Sequence, residues 1–273
     1  MEQSIDARNA RFWNELCGSI FAQKIGIKDH SIESLRRFDE AYLNFYPYLL
    51  KEVVLDDFAG KKILEIGLGY GTLGQKIIEA GAHYTGLDIA EGPVKMVHHR
   101  LALQHLPGAA VRGNILGSPF QDSTFDVVVS IGCFHHTGST EKCIQETFRI
   151  LKPGGMAYIM LYNQFSFRQW SRWPVTTLLS LLSTLGGIVR NSEVDERQRR
   201  SYDSNSTGQS APETTFHSIH ELRGMFSRFT SVRFSKQNCD DIRLFPRVAI
   251  PRKYLLSSIG RKMGLDIYIQ AVK

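Results

Sequence analysis

The sequence predicts an α/β protein built around a parallel sheet, and three observations lead to this. An apolar strand at Ile63–Ile66 runs into the glycine-rich turn Gly67-Leu68-Gly69-Tyr70-Gly71. Strand-like and helix-like segments then alternate at a regular pitch. Phe125–Ser130 is nearly continuously apolar, which is typical of a strand covered on both faces. Alternation of this kind produces parallel strands joined by right-handed crossovers.

The elements can be assigned in chain order. Residues 1–58 have helical apolar spacing and form a predicted N-terminal cap. The predicted strands lie at 63–66, 83–88, 109–112, 125–130, 156–162, 230–236 and 265–272. The predicted helices between them lie at 71–80, 91–103, 140–151 and 218–229. We therefore divide the chain into a cap (1–58), a nucleotide-binding core (59–162), an insertion (163–217) and a C-terminal segment (218–273) that completes the core.

Composition places the chain among ordinary globular proteins. It has 273 residues, of which 42% are hydrophobic and 22% charged, enough for one large domain with an insertion. Its four cysteines form no CxxC pair, and no secretory leader is visible. We therefore expect reduced thiols and a cytoplasmic location.

The net charge of +6 is unevenly distributed. The segment Arg243–Lys262 contains six basic residues and no Asp or Glu. A solvated basic loop is the favoured interpretation, and attraction to a phosphorylated substrate, an anionic membrane surface or nucleic acid remains open.

The glycine turn predicts a nucleotide site. Glycine accepts positive φ and lets the backbone approach a ligand closely. Asp88 ends the second strand, where a carboxylate can accept hydrogen bonds from the hydroxyls of an adenosine ribose. The turn also satisfies the GxGxxG pattern of NAD-binding proteins at Gly69–Gly74, but that match alone is weak.

Three features argue against NAD. Glu65 lies inside the first strand, where a buried acid suits a cationic amino-acid group and would repel a pyrophosphate. The GxGxxG pattern starts late, two residues after the strand has ended. The segment Leu151-Lys152-Pro153-Gly154-Gly155 has no role in a dinucleotide fold.

These motifs together resemble a class I S-adenosylmethionine-dependent methyltransferase, of the branch that modifies small molecules and lipids (a methyltransferase type 11-like domain). The resemblance is strongest over Phe58–Tyr162 and includes Phe125–Val128 and His135-His136. It implies a Rossmann-like seven-stranded sheet of order 3-2-1-4-5-7-6 with strand 7 antiparallel. It also implies S-adenosylmethionine as the cofactor.

The resemblance assigns roles to the matching positions. Glu65 and the turn would hold the methionine end of the cofactor, and Asp88 its ribose. Asn114 stands where the family often has an Asp that bonds the adenine amino group, and its carbonyl preserves an acceptor. The full set of implied cofactor residues is Glu65, Gly67, Leu68, Gly69, Gly71, Asp88, Ile89, Asn114, Ile115, Ser130, Ile131 and Gly132.

The end of the fourth strand is the predicted place of chemistry. His135 or His136 could remove a proton from an acceptor, although an ordering role for His136 in the loop is equally compatible with the pattern. We expect Tyr42, Tyr46, Phe134 and Tyr162 to contact the acceptor, while core packing remains an alternative for the tyrosines.

The same loop excludes other classes. Ser130–Cys133 lacks the Asp/Asn-Pro-Pro-Tyr/Phe motif of exocyclic-amine DNA methyltransferases, and no Pro-Cys dipeptide occurs for cytosine-C5 chemistry. No carboxylates cluster near Cys133, so we expect neither a metal nor a nucleic-acid substrate.

The insertion is too long for a simple connection and is expected to carry function. Its apolar stretch 175–189 predicts a helical lid over the acceptor site, with interfacial binding to lipid headgroups as the alternative.

The sequence thus predicts a methyltransferase acting on the O, N or C atom of a small organic acceptor. A lipid- or prenyl-tailed acceptor at a membrane surface, peripheral membrane contact and a homodimer remain open. So does a non-catalytic domain that binds S-adenosylmethionine.

Overall fold

The computed structural model describes residues 4–186, 194–245 and 248–273. The end of the apolar stretch, 187–189, and Arg247 of the basic segment lie outside these ranges.

Within the described ranges, seven strands form one sheet of order β3-β2-β1-β4-β5-β9-β6. The strands β1 to β5 are parallel, and β9 runs antiparallel to both β5 and β6. Their bounds are β1 Lys62–Ile66, β2 His83–Asp88, β3 Ala109–Arg112, β4 Phe125–Ile131, β5 Leu151–Tyr162, β6 Ser231–Gln237 and β9 Asp266–Val272. The predicted Rossmann-like topology is confirmed, because the C-terminal strand lies between β5 and β6.

Two features of the strands differ from the prediction. β5 begins at Leu151 rather than at Met156, because Leu151 pairs with Phe125 while Met156 pairs with Val127. The residues between them bulge out of the ladder, and Gly154 takes a φ of +75° there. In addition, β7 Ile242–Phe245 and β8 Val248–Ile250 form a hairpin outside the main sheet, which the sequence pattern did not indicate.

Helices cover both faces of the sheet. Leu64 and Val128 pack on one face against Ile144 and Leu222, whereas Ile63 packs on the opposite face. Alternate residues of each strand therefore enter different apolar layers. The helices are α1 Ile5–Phe12, α2 Ser19–Lys24, α3 Ile32–Phe45, α4 Leu49–Glu52, α5 Thr72–Glu79, α6 Glu91–Gln104, α7 Thr140–Ile150, α8 Phe167–Arg172, α9 Pro174–Leu185, α10 Glu196–Tyr202, α11 Ile219–Met225, α12 Arg252–Leu255 and α13 Ile259–Met263.

The N-terminal cap consists of α1 to α4, in agreement with the predicted helical character of this segment. Ser31 caps α3, with its hydroxyl accepting a hydrogen bond from the Ser34 backbone N–H at 3.3 Å. Phe38 of α3 stacks on Tyr70 of the glycine turn at a centroid distance of 4.0 Å. The cap therefore packs directly on the turn.

A buried ion pair joins the cap to the turn. Arg100 of α6 donates two hydrogen bonds to the Asp39 carboxylate, at 2.9 and 2.8 Å, and its Nε donates to the Tyr70 carbonyl at 2.6 Å. Thr72 donates its hydroxyl to Asp39 at 2.6 Å. The Arg100 side chain is 2% exposed and that of Asp39 12% exposed, so solvent screens the pair weakly.

The insertion carries α8, α9 and α10, and the division of the chain into four segments stays a prediction. No helix within the described ranges combines the length and apolarity that crossing a membrane requires.

We expect Asp39→Ala to lower the free energy of unfolding by about 3–5 kcal/mol, because it leaves the Arg100 guanidinium buried without its counter-ion. Chemical denaturation followed by circular dichroism measures this. Glu40→Ala, which removes an exposed carboxylate from the same helix, is the matched control and should change stability little. Equal stabilities of the two variants would contradict the assigned role of the pair.

Candidate active site

A cavity opens at the carboxyl ends of β1, β2 and β4, where the strand order reverses between β1 and β4. Such a switch point is where α/β sheets bind nucleotides. The cap contributes α1 and α3 to the opposite wall. The predicted cofactor residues that line the cavity are Glu65, Gly67, Leu68, Gly69, Asp88, Ile89, Asn114, Ile115, Ile131 and Gly132.

The glycine turn has the backbone conformation that the sequence suggested. Gly67, Gly69 and Gly71 take φ values of +81°, +51° and +77°, which side chains with a Cβ rarely adopt. A Cβ placed on Gly67 would lie 2.6 Å from the Cβ of Cys133, so β1 and β4 can approach here only through a glycine. Gly71 stands at the N-terminal end of α5 rather than in the cavity wall.

Asp88 is held by the turn that it faces. Its two oxygens accept hydrogen bonds from the backbone N–H groups of Leu68, at 2.8 Å, and Ala90, at 2.9 Å. Burial raises the pKa of Asp88 to about 6, against the opposing effect of these backbone hydrogen bonds. Each carboxylate oxygen has a second lone pair, so Asp88 can still accept from a ribose hydroxyl.

Glu65 is a buried acid at the floor of the cavity. It is 3% exposed, and its Oε2 accepts a hydrogen bond from the Tyr84 hydroxyl at 2.6 Å. Burial raises the pKa of Glu65 to about 8, although the Tyr84 hydrogen bond acts in the opposite direction. A ligand ammonium would restore the ionised form, so this position fits the amino-acid end of S-adenosylmethionine.

Two other predicted cofactor residues also have structural contacts. Asn114 caps the short 3₁₀ turn Ile115–Gly117, and its side-chain oxygen accepts from the Leu116 N–H at 2.9 Å. Ser130 is fully buried and donates to the Ile66 carbonyl at 3.1 Å, away from the cavity wall. Their predicted contacts with the cofactor stay predictions.

The structure separates the two predicted catalytic histidines. His136 lines the cavity, whereas His135 is fully buried. Both ring nitrogens of His135 lack a hydrogen-bond partner within the described part of the chain. Burial, together with His136 and His217, lowers the pKa of His135 well below its ordinary value. His135 is therefore neutral, and its ring packs against that of Tyr162 at a centroid distance of 4.0 Å, with the two planes tilted by 34°.

The hydrogen bonds of His136 define its tautomer. Its Nδ1 lies 2.6 Å from the Glu213 carbonyl oxygen, which can only accept, so Nδ1 carries the proton. The remaining nitrogen, Nε2, therefore has a free lone pair in the neutral ring. It lies 3.5 Å from Asp203 Oδ2.

The predicted acceptor contacts are dispersed. Tyr42 lines the cavity, and the ring of Tyr46 packs against the ring of Tyr42 at a centroid distance of 4.8 Å. Phe134 is fully buried in the apolar core beneath the sheet edge and does not reach the cavity. Tyr162 donates its hydroxyl to Asp203 at 2.8 Å, so it orders a site residue without lining the cavity.

Sequence reasoning missed several groups around His136. Asp203 comes from the insertion, and Trp13 of the cap packs its ring 4.7 Å from that of His136. The Asn9 side chain donates to the His136 carbonyl at 2.6 Å. These residues are distant in sequence, and only the length of the insertion indicated that it carries function. Within the described ranges, no group of His, Cys, Asp and Glu side chains is arranged to hold a metal.

The site fits the amino-acid end and the nucleoside of one ligand. Glu65, which its raised pKa leaves partly protonated, faces the amino-acid end of the ligand, and Asp88 faces the middle of the ligand. Apolar residues line the region where a nucleobase would lie. Residues 64–159 also match a family model described as a methyltransferase domain. The central domain is a class I S-adenosylmethionine-dependent methyltransferase domain.

The relatives of this methyltransferase domain include lipid-modifying enzymes. The chain is 32% identical over 166 residues to a phthiotriol/phenolphthiotriol dimycocerosates methyltransferase of Mycobacterium leprae, covering 57% of this chain and 59% of the relative. It is 35% identical over 100 residues to squalene methyltransferase 1 of Botryococcus braunii, covering 36% of this chain and 26% of the relative. The chain thus covers less than two thirds of the length of these curated relatives.

Solved structures share the fold at low sequence identity. An S-adenosylmethionine-dependent methyltransferase from Mesorhizobium loti aligns with a TM-score of 0.56 at 14% identity, covering 85% of this chain and 100% of that one. A putative methyltransferase complexed with the Trm112 activator from Haloferax volcanii gives 0.56 at 15% identity, covering 100% and 98%. S-adenosylmethionine is the cofactor of this family, and the contacts of individual residues with it stay predictions.

We expect cofactor binding to release a proton from Glu65 near pH 7, because the pKa of about 8 in the free protein falls when a ligand ammonium stabilises the carboxylate. Calorimetry in buffers of different ionisation enthalpy counts the protons. Glu65→Gln should release fewer protons than the parent protein.

The control is Glu141→Gln, which changes an exposed carboxyl and should leave the proton count unaltered. The same raised pKa predicts that the cofactor-free protein loses stability as pH rises from about 4.5 to about 8, because the folded state holds the extra proton over that window. Equal proton counts for the parent and Glu65→Gln would contradict the assignment.

Proposed function

We propose that this protein transfers a methyl group from S-adenosylmethionine to a hydroxyl oxygen of an apolar, lipid-type acceptor. The observation behind the proposal is His136, which lines the cavity with its Nδ1 bonded to the Glu213 carbonyl and its Nε2 beside Asp203. A hydroxyl is a weak nucleophile at neutral pH, so its methylation benefits from a positioned base.

His136 suits the role of this base. The Glu213 carbonyl holds the proton on Nδ1, so the acceptor nitrogen is Nε2, which is buried and has no hydrogen-bond partner within the described ranges. Trp13 packs on the ring, and the Asn9 side chain bonds its backbone carbonyl. The imidazole is thus held in one orientation before any acceptor arrives, which lowers the entropic cost of proton transfer.

Asp203 is a positioning residue for His136. When Nε2 takes a proton, the ring becomes cationic, and Asp203 Oδ2 at 3.5 Å stabilises that charge. Tyr162 donates a hydrogen bond to the same oxygen and keeps the carboxylate in place. The arrangement follows the general pattern of a base oriented by a third group.

When bound, S-adenosylmethionine supplies an electrophilic methyl group on a sulfonium that is a good leaving group. Glu65 would hold its amino-acid end and Asp88 its ribose, and the glycine turn allows its close approach. The work left to the chain is therefore alignment of the acceptor and removal of its proton at His136 Nε2.

The acceptor class follows from the cavity wall and the relatives. Trp13 packs against His136, and Phe38, Tyr42 and Leu49 also line the cavity, so the wall offers apolar contact. Two relatives are named as methyltransferases of phthiotriol/phenolphthiotriol dimycocerosates and of squalene, which are largely apolar lipids. We therefore favour an apolar alcohol over a polar metabolite.

Removing the base should slow the chemistry without weakening cofactor binding. We expect His136→Asn to lower kcat by about 10²–10⁴-fold, with the affinity for S-adenosylmethionine unchanged. Asp203→Asn should lower kcat less, because it removes only the stabilisation of the charged ring. Transfer of tritium from labelled S-adenosylmethionine to a long-chain secondary alcohol measures the rate.

His220→Asn is the matched control, since it changes an exposed histidine outside the cavity wall. A long-chain amine provides the second arm, because the nitrogen of its unprotonated form is nucleophilic without further loss of a proton. Full activity of His136→Asn on the alcohol, or methylation of the amine alone, would contradict the proposal.

A further inference from the structure

Helix α9 has its amphipathic pattern reversed. Val175, Leu178, Leu179, Leu182 and Leu185 recur at three- and four-residue spacing and are 47–76% exposed. The opposite face contains Thr177, which is 4% exposed, and Ser180, which is 9% exposed. A surface helix of a globular protein normally turns its apolar stripe inward.

The threonine hydroxyls on the polar face of α9 have hydrogen-bond partners within the helix. The Thr177 hydroxyl donates to the Trp173 carbonyl at 2.8 Å, and the Thr184 hydroxyl donates to the Ser180 carbonyl at 2.9 Å. These hydroxyls bond within the helix, so they can face the protein at little cost. The orientation of α9 is thus compatible with its sequence, and its leucines remain available to an external apolar phase.

The β7–β8 hairpin region adds further exposed apolar side chains. Phe245 is 68% exposed, Val248 51% and Tyr254, just beyond the hairpin, 66%. Asp240 precedes β7 by two residues and pairs with Arg168 of α8 at 2.5 Å and with Arg172 at 3.9 Å. Since α9 begins directly after α8, this contact joins the base of the hairpin to the start of α9.

The charge around these apolar groups is positive. Arg172, Arg243 and Lys253 are exposed. The nearby acids are engaged, because Asp240 pairs with Arg168 and Asp241 accepts a hydrogen bond from the Arg252 backbone N–H at 2.7 Å. Apolar side chains with a cationic margin match the interface of an anionic bilayer.

We propose that α9 and the β7–β8 hairpin region dock on an anionic phospholipid bilayer. This docking surface consists of Val175, Leu178, Leu179, Leu182, Leu185, Phe245, Val248 and Tyr254, with Arg172, Arg243 and Lys253 at its margin. The 12 residues of α9 fall short of the ~20 that a membrane-spanning helix needs, so the helix lies in the plane of the interface.

Charge complementarity favours a bilayer over a second copy of the chain. An isologous dimer through this surface would bring the cationic margins of both copies together, which costs free energy. Anionic headgroups would instead neutralise them. The docking surface is independent of the proposed methyl transfer, because binding to lipid requires neither cofactor nor acceptor.

Vesicle co-sedimentation of the full chain tests the proposal. The probes are phosphatidylcholine vesicles with and without phosphatidylglycerol as one third of the lipid. The parent protein should sediment with the anionic vesicles, and added salt should weaken the binding. The triple variant Leu178→Ser/Leu179→Ser/Leu182→Ser should bind at least about tenfold more weakly. The variant Arg172→Glu/Arg243→Glu/Lys253→Glu should lose the preference for anionic vesicles.

Matched controls are Leu50→Ser and Lys28→Glu, which change exposed residues of the cap outside the docking surface and should bind like the parent. Circular dichroism checks that each variant is folded. Unchanged vesicle binding by the triple serine variant would overturn the proposal. The proposal would also be overturned if the parent protein bound neither vesicle type and instead formed a dimer that the serine substitutions dissociate.

Discussion

The buried pair of Arg100 and Asp39 connects the three parts from which the site is built. Arg100 belongs to the helix that follows β2, Asp39 to the cap, and the Tyr70 carbonyl that Arg100 also bonds belongs to the glycine turn. Breaking this pair would leave a buried guanidinium without its counter-ion, at a high cost in free energy. The pair therefore holds the cap on the glycine turn. The cavity wall formed by α1 and α3 depends on that attachment.

The two walls of the cavity have different origins and different tasks. The strand ends of the core supply Glu65 and Asp88, which are both buried and both line the cavity. The groups around His136 come from the cap and from the insertion, including Trp13 and Asp203. The sheet thus supplies Glu65 and Asp88, whereas the groups that surround His136 and are proposed to meet the acceptor come from the cap and the insertion. This division explains why the methyltransferase domain is recognisable while the acceptor is not.

The sequence predicted the sheet well because the patterns involved are local. Continuous apolar strands, the glycine turn and Asp88 each depend on neighbouring residues, and the strand order followed from the family resemblance. The contact of Asp203 with His136 could not be predicted, because 67 residues separate them and a polar turn-rich loop has no periodicity. Phe134 differed from its prediction. Its position in the strand-four loop suggested the acceptor site, whereas its apolar ring lies in the core. The outward face of α9 was likewise hidden, because a leucine-rich stretch predicts a helix but not which side is buried.

A crystal structure with S-adenosylhomocysteine tests the central claim most directly. We expect the ribose hydroxyls to bond Asp88 and the amino group to lie beside Glu65. The sulfur should face the side of the cavity where His136 lies. Binding in the reverse orientation, with adenine at Glu65, or binding outside this cavity would contradict the account.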